Sequence, residues 1–329
     1  MYGGNTKLLR SILFAFSALF LILGQSNASE KWDMALAYGD NNFHSANARE
    51  FAKNVTEKSG GKLTILTHPG GSLFEGEDIF RAVRTGQAAI GERFMSALVK
   101  EDPLLEVDSQ PFLATSYNDA MKLYQASKAE IVKSLNSKGV IFLYAVPWPA
   151  QGLYSKKAIN SVADLKGLKF RTYNSATIRI AELTGMAPTK IEVTKISQAF
   201  STGAVESMIT SATTGNNKKI WENGVGYFYD IAAWFPKNMI IVNKNAWKKL
   251  DAATQKLVMS EAAKAEKRGW DMSKKVTKDA KKTMVDEGMK IGKVNSSLKK
   301  LFEEVGSTMS KEWTERAGSR GQSVLAAYK

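Results

Sequence analysis

The sequence predicts an α/β protein of two lobes, joined by hinge strands and spanned by one long helix. Three observations carry that prediction. First, DIFRAVRTGQAAIGERFM (78–95) and KISQAFSTGAVESMITS (195–211) share one design, a short amphipathic helix closed by Thr-Gly and followed by a strand. Aligning the two Thr-Gly pairs sets Ile79 on Ile196 and Ala82 on Ala199. Second, two passages punctuated by proline and aromatics, Pro147–Ile159 and Tyr227–Lys244, suit crossings between lobes. Third, a pattern of apolar steps of three and four begins at Asp251 and runs without proline for about 38 residues, or roughly 57 Å. That is longer than one lobe is wide.

Taken in order, Lys31–Tyr38 reads as a first strand ending in GDNN. Phe43–Lys58 follows as a helix with Ala48, Phe51, Ala52 and Val55 on one face, closed by Gly60-Gly61. Lys62–His68 is a second strand, and PGGSLFEGE is a turn without the lysine a phosphate loop needs. Strands are expected at 87–95, 140–148 and 204–211, with a helix over 118–138 between the first two. The register of the repeat sets Arg93 opposite Thr210 and Phe94 opposite Ser211, so both strand ends are expected at one cleft. The long helix is expected to bend near Gly269, and a last amphipathic helix carries Leu298, Leu301, Phe302, Val305, Met309 and Trp313. The expected division is 1–28 a signal peptide, 29–148 plus 237–276 one lobe, and 149–236 plus 277–329 the other.

The signal is read from Lys7 and Arg10, an apolar run from Ile12 to Leu23, and GQSNAS with cleavage after Ala28. Such a chain is exported, and the absence of cysteine suits the periplasm better than the outer milieu. Removing Lys7 and Arg10 lowers the net charge from +14 to +12. That excess is compatible with organic anions. Nucleic acid is not expected after export, since no arginine stripe interleaved with aromatics is present. Many lysines fall in KRGWDMSKKVTKDAKK, where a solvated helix face is the plain reading.

The chemistry centres on Asp164–Pro188, which reads as a turn, a short strand through Leu168, Phe170 and Tyr173, and a helix capped by Asn174 or Ser175. Arg171 then stands near a strand end beside a helix N-terminus, where a guanidinium fork suits a carboxylate. A surface arginine is the plain alternative. Catalytic patterns are missing: GxSxG and HExxH do not occur, and His44 and His68 suit a cap or turn better than a metal. Glu75, Glu77, Asp78 and Glu92 have the chemistry for acid–base work, but capping and solvation explain them more simply. No enzyme, metal or cofactor is expected.

A cleaved signal, GGSLFEGEDIFRAVRTG, DLKGLKFR, the G-AVES segment and a long late helix resemble the solute-binding proteins of tripartite ATP-independent periplasmic (TRAP) transporters, the DctP-like family. The resemblance covers essentially the whole mature chain, and DLKGLKFR is its most specific motif. It implies a two-lobed periplasmic binding protein that closes on an organic acid and hands it to a sodium-coupled membrane permease, with Arg171 gripping the carboxylate. A second arginine expected after the first crossing is replaced here by WPAQGLYSKK, with Gln151 or Tyr154 in its place. Where the family has an asparagine after the second Gly, VESMITSATTG offers Thr210 or Ser211. These departures favour a monocarboxylate, aromatic or 2-oxo, over a C4-dicarboxylate or sialic acid. Phe43, Phe94, Trp148, Tyr173 and Trp234 are candidate ring contacts, each equally suited to packing, and Glu75 is a candidate polar contact. A ligand-sensing protein for a signalling receptor would carry the same signature, whereas a periplasmic enzyme acting on an organic acid is disfavoured by the missing nucleophile and metal motifs.

Overall fold

The computed structural model describes residues 29–329. Residues 1–28, expected to be a signal peptide, lie outside the described residues.

Two sheets form the frame. The first has the order β2-β1-β3-β10-β4, built from β1 (Glu30–Ala35), β2 (Leu63–His68), β3 (Ile90–Phe94), β4 (Val140–Pro147) and β10 (Lys237–Asn243). The second has the order β11-β9-β5-β8-β6-β7. Its strands are β5 (Gln151–Ser155), β6 (Lys169–Thr172), β7 (Ala187–Lys190), β8 (Ser207–Ser211), β9 (Tyr227–Tyr229) and β11 (Lys290–Gly292). In the first sheet β3 lies parallel to β1 and antiparallel to β10; in the second, β8 lies parallel to β6 and antiparallel to β5. The repeated segments thus occupy matching places in two sheets of the same design. Each repeat enters its strand through a glycine in left-handed conformation, Gly86 at φ 79° and Gly203 at φ 72°, a backbone state that costs glycine little.

The helices are α1 (Phe43–Lys58), α2 (Ile79–Thr85), α3 (Tyr117–Ser137), α4 (Ser175–Thr184), α5 (Ile196–Ser201), α6 (Ala212–Asn217), α7 (Lys244–Lys249), α8 (Ala252–Asp286) and α9 (Ser296–Tyr328). Side-chain caps explain several starts: Asn42 accepts from His44 N at α1, Asp251 from Thr254 N at α8, and Asn295 from Leu298 N at α9. The chain changes sheets between β4 and β5 and returns between β9 and β10.

Both late helices join the two cores. In α8, Val258, Ala262 and Ala265 pack with the first sheet and Ala280 and Met284 with the second. In α9, Leu298, Phe302, Val305 and Met309 pack with the second sheet, whereas Trp313 and Val324 return to the core of the first. The expected placing of all of 277–329 in one lobe is therefore corrected: apolar periodicity shows that a helix is buried, not against what. The expected bend at Gly269 is also absent. Gly269 lies inside α8 because a Cβ there would stand 2.3 Å from Val146 Cγ2 and 2.8 Å from Asn47 Nδ2. The non-helical residue is Gly318, within α9.

Candidate ligand-binding site

The C-terminal ends of β3, β6 and β8 face one another across a cavity of about 560 Å³. That is the location expected of a ligand in open α/β sheets. Arg171 reaches it from β6, one residue before the strand ends, and is only 4% exposed. Its Nε–H donates to Ile191 O at 2.9 Å, and its Cζ lies 4.6 Å from the centre of the Tyr173 ring. These two contacts orient the fork. No carboxylate among the described residues pairs with it. Burial lowers its pKa to about 10, still leaving it charged at neutral pH. A guanidinium buried without a paired anion is costly, so the cavity favours an anionic group at Arg171.

The chain from β6 into α4 supplies the adjoining wall. Asn174, not Ser175, is the N-cap, accepting from Thr177 N in a reciprocal capping box. Its Nδ2 donates at 2.8 Å to Ser96 Oγ, a residue of the segment after β3, so the same side chain also ties the two lobes together. Tyr173 lies beyond the strand instead of within it, and its ring meets Phe94 edge-on at 5.5 Å across the cleft. Both line the cavity.

The remaining expected residues divide. Trp148, expected half-buried, is 4% exposed; it lines the cavity, is held by Nε1–H to Asn238 Oδ1 at 2.9 Å and meets Tyr38 edge-on at 4.8 Å. Thr210 lines the cavity with a hydroxyl that makes no hydrogen bond to the described residues. Ser211 also lines it, but its Oγ is occupied at the start of α6, accepting from Thr214 N. Gln151 lines it with both ends of its amide engaged: Oε1 accepts from Tyr173 Oη at 3.2 Å and Nε2 donates to Pro149 O at 2.8 Å. Its role is to hold Tyr173. Glu75 is exposed at the rim. Trp234 is not a lining residue; it is buried in the second sheet's core, where it flanks the Tyr173 phenol. Phe43 is likewise packed behind Trp148, with ring centres 5.6 Å apart.

Two residues left out of the expected contacts belong to the wall. Arg93 enters from the end of β3, so a second guanidinium is present after all, supplied by the other lobe and not by the first crossing. Its Nη1 donates to Gly76 O at 2.6 Å, and its buried Nε has no partner. The register that set Arg93 opposite Thr210 was the available signal. Tyr38, just past β1, is the other, and nothing in its local pattern distinguished it. Burial raises its phenol pKa, so it stays protonated and able to donate. His68 Nε2 meets Asp33 at 2.6 Å on the edge strand β2, and neither residue lines the cavity.

Two sheets of one design, a cavity between their strand ends and two helices joining the lobes define a two-lobed α/β binding protein. The family described as bacterial extracellular solute-binding protein, family 7 (DctP), matches residues 35–316, and the chain belongs to it. It is the solute-binding component of a TRAP-type system, whose members work with membrane permease subunits. Two similar solved structures bind pyroglutamate. One is DctP7, an extracytoplasmic solute receptor of Bordetella pertussis, at 38% identity and TM-score 0.89, covering 91% of this chain and 99% of that one. The other is a TRAP solute-binding protein from a marine metagenome, at 42% identity and TM-score 0.89, covering 92% and 99%. A solute-binding protein of Albidiferax ferrireducens is 24% identical over 270 residues, covering 81% of this chain and 80% of its own.

Proposed function

We propose that the protein captures a small cyclic monocarboxylate of the pyroglutamate type, holds it by cleft closure and releases it unchanged to its permease. The observation that carries this reading is Arg171, a buried and oriented guanidinium that makes no ion pair with any of the described residues. It would take the single carboxylate. Arg93, Thr210 and Tyr38 offer the donors and the hydroxyl that a neutral lactam can use, and Phe94, Tyr173 and Trp148 flank a flat ring. The pyroglutamate-binding structures at 38% and 42% identity support the same ligand class. A 2-oxo or aromatic acid would use Arg171 equally but would leave the extra donors without the lactam carbonyl.

In this reading residues 1–28 are removed on export and the protein works in the periplasm. It acts by binding and not by turnover. Closure follows from differential contact: Arg171 belongs to one lobe and Arg93 to the other, so only the closed form lets one ligand touch both.

The test is a thermal-shift and calorimetric panel on the mature protein with pyroglutamate, proline, 2-oxo acids and aromatic acids. Pyroglutamate at 1,000 times its Kd should add about 4 kcal/mol, on the order of 10 °C. It should be recovered chemically intact. Preference for a 2-oxo acid over pyroglutamate would move the ligand class while leaving the anchor, and no carboxylate response at all would remove the reading.

A further inference from the structure

Behind the cavity wall lies a second, much smaller void of about 10 Å³, the lower bound for holding one water molecule. Its polar lining comes from four elements: His44 and Asn47 of α1, Glu92 of β3, Tyr144 of β4 and Asn238 of β10, with the Asn47 amide already bonded to Ala265 O and Arg268 Nε. The register explains why they converge. Ile240 pairs with Glu92 on one side and Tyr144 on the other, and Asn238 stands two residues from Ile240, so all three side chains share the sheet face that α1 covers. His44, Glu92, Tyr144 and Asn238 are 97% or more buried. Each turns into this region one polar atom without a close, well-aligned hydrogen bond, namely His44 Nε2, Glu92 Oε2, Tyr144 Oη and Asn238 Nδ2, although Asn238 lies near enough to Glu92 to favour its carboxylate. Four such atoms around one void are unusual, because buried polar groups are nearly always paired.

We propose that this void is the site of one structural water molecule, bound by those four atoms and fixing Asn238 from behind. The hydrogen-bond count closes. Asn238 Oδ1 is taken by Trp148 Nε1–H at 2.9 Å, which sets the amide so that Nδ2 is the free end and a donor. Tyr144 Oη is a second donor. Glu92 Oε2 is an acceptor, and His44 Nε2 is another when its Nδ1–H faces Glu92 Oε1, 3.6 Å away. A water has two lone pairs and two hydrogens and meets two donors and two acceptors. A cation would face the Asn238 N–H groups and is excluded by them. Water also turns to suit either protonation state of Glu92. The consequence reaches the ligand cavity, because Asn238 holds Trp148 and Trp148 lines it. Tyr144, Glu92 and His44 are then positioning residues.

A crystal structure of the mature protein at atomic resolution, from crystals grown in a rubidium buffer, tests this. The expected result is a single peak at roughly 2.7–3.2 Å from at least three of the four atoms, with no anomalous signal at the rubidium edge. An anomalous peak would make it a cation site, and an empty void or direct bonding among the four groups would remove it; either overturns the proposal. The second measurement is the Trp148 indole N–H resonance in ¹⁵N-tryptophan-labelled protein, assigned with Trp148→Phe. Tyr144→Phe removes one donor and should shift that resonance. An unmoved resonance in a folded Tyr144→Phe protein overturns the coupling between the water and the ligand wall.

Discussion

Arg171 brings a positive charge into a site where no carboxylate of the described residues makes an ion pair with it, Glu192 acting on it only from a distance, and the energetics of that choice are testable apart from any ligand. Replacing it by methionine removes a desolvated charge and keeps most of the buried stem. The ligand-free protein should therefore melt at the same temperature or higher, although one hydrogen bond to Ile191 O is lost. Carboxylate binding should weaken by about 2–5 kcal/mol, the cost of truncating one partner of a buried pair. Calorimetry beside a ligand-free melt checks both halves. A variant that melts well below the parent would show that Arg171 holds the fold together and is not reserved for a ligand.

Glu92 makes a second prediction at this scale. Burial raises its pKa from 4.5 to about 7, partly offset by Asn238. The folded form holds a proton that the unfolded form has lost, so this contribution is full below pH 4.5 and disappears as pH rises through 7. The neighbouring His44 works in the opposite direction: burial lowers its pKa well below 6.5, so its contribution grows as pH rises toward 6.5 and is full above it. Asp108, raised by burial to about 6, adds to the Glu92 trend. Glu92→Gln removes only the first component. Relative to the variant, the parent should lose roughly 3 kcal/mol of unfolding free energy between pH 4.5 and 7.5. Urea titrations across that range give the difference directly, and parallel profiles would exclude a proton held at Glu92.

At the level of elements, Gly269 shows what a pattern can and cannot reveal. A glycine within an uninterrupted helical pattern suggests a bend; here it permits α8 to approach β4 and α1 closely. Gly269→Ala gains up to about 1 kcal/mol in helix propensity. Its Cβ would nonetheless stand 2.3 Å from Val146 Cγ2, and overpacking of that kind costs about 1–3 kcal/mol. The net expectation is a destabilised protein, measured as a lower urea midpoint at unchanged m-value. A stabilised variant would mean that α8 can shift away from the sheet. The same distinction accounts for how much was legible beforehand. Caps, glycine stops and strand runs are local, so Asn174, Gly86 and the repeat could be read from neighbouring residues. Contacts between distant segments are not local. That is why Gln151 could not be seen holding Tyr173, or Trp313 returning to the first core. The place of Arg171 in the cavity wall was legible because a strand end and a helix cap stand side by side in the sequence. Tyr38 and Arg93 owe their place in the site to the meeting of two lobes.

For the whole molecule, the question is what stabilises the lobes against each other once a ligand is present. Besides the Phe94–Tyr173 ring contact, three side-chain hydrogen bonds among the described residues cross the cleft: Asn174 to Ser96 at 2.8 Å, Lys190 to Glu77 at 2.9 Å, and Ser175 to Glu106. They differ in worth. Lys190 and Glu77 are both more than half exposed, and such pairs contribute about 0–1 kcal/mol. Glu106 is 1% exposed and also accepts from Arg316 of α9 at 2.7 Å. Arg316 lies in the part of α9 that packs with the first sheet, on the same side of the cleft as Glu106. Opening therefore leaves that ion pair intact and breaks only the bond from Ser175. A hydrogen bond to a charged, buried carboxylate is worth about 1.5–3 kcal/mol. Ser175→Ala should then raise the ligand Kd at least tenfold, chiefly through a faster off-rate, and reduce the compaction that saturating ligand produces in small-angle scattering. Glu77→Gln should change Kd by less than about fivefold. Equal effects from the two substitutions would place the closing energy in long-range charge at the cleft rim, since neither burial nor hydrogen-bond geometry would then distinguish them.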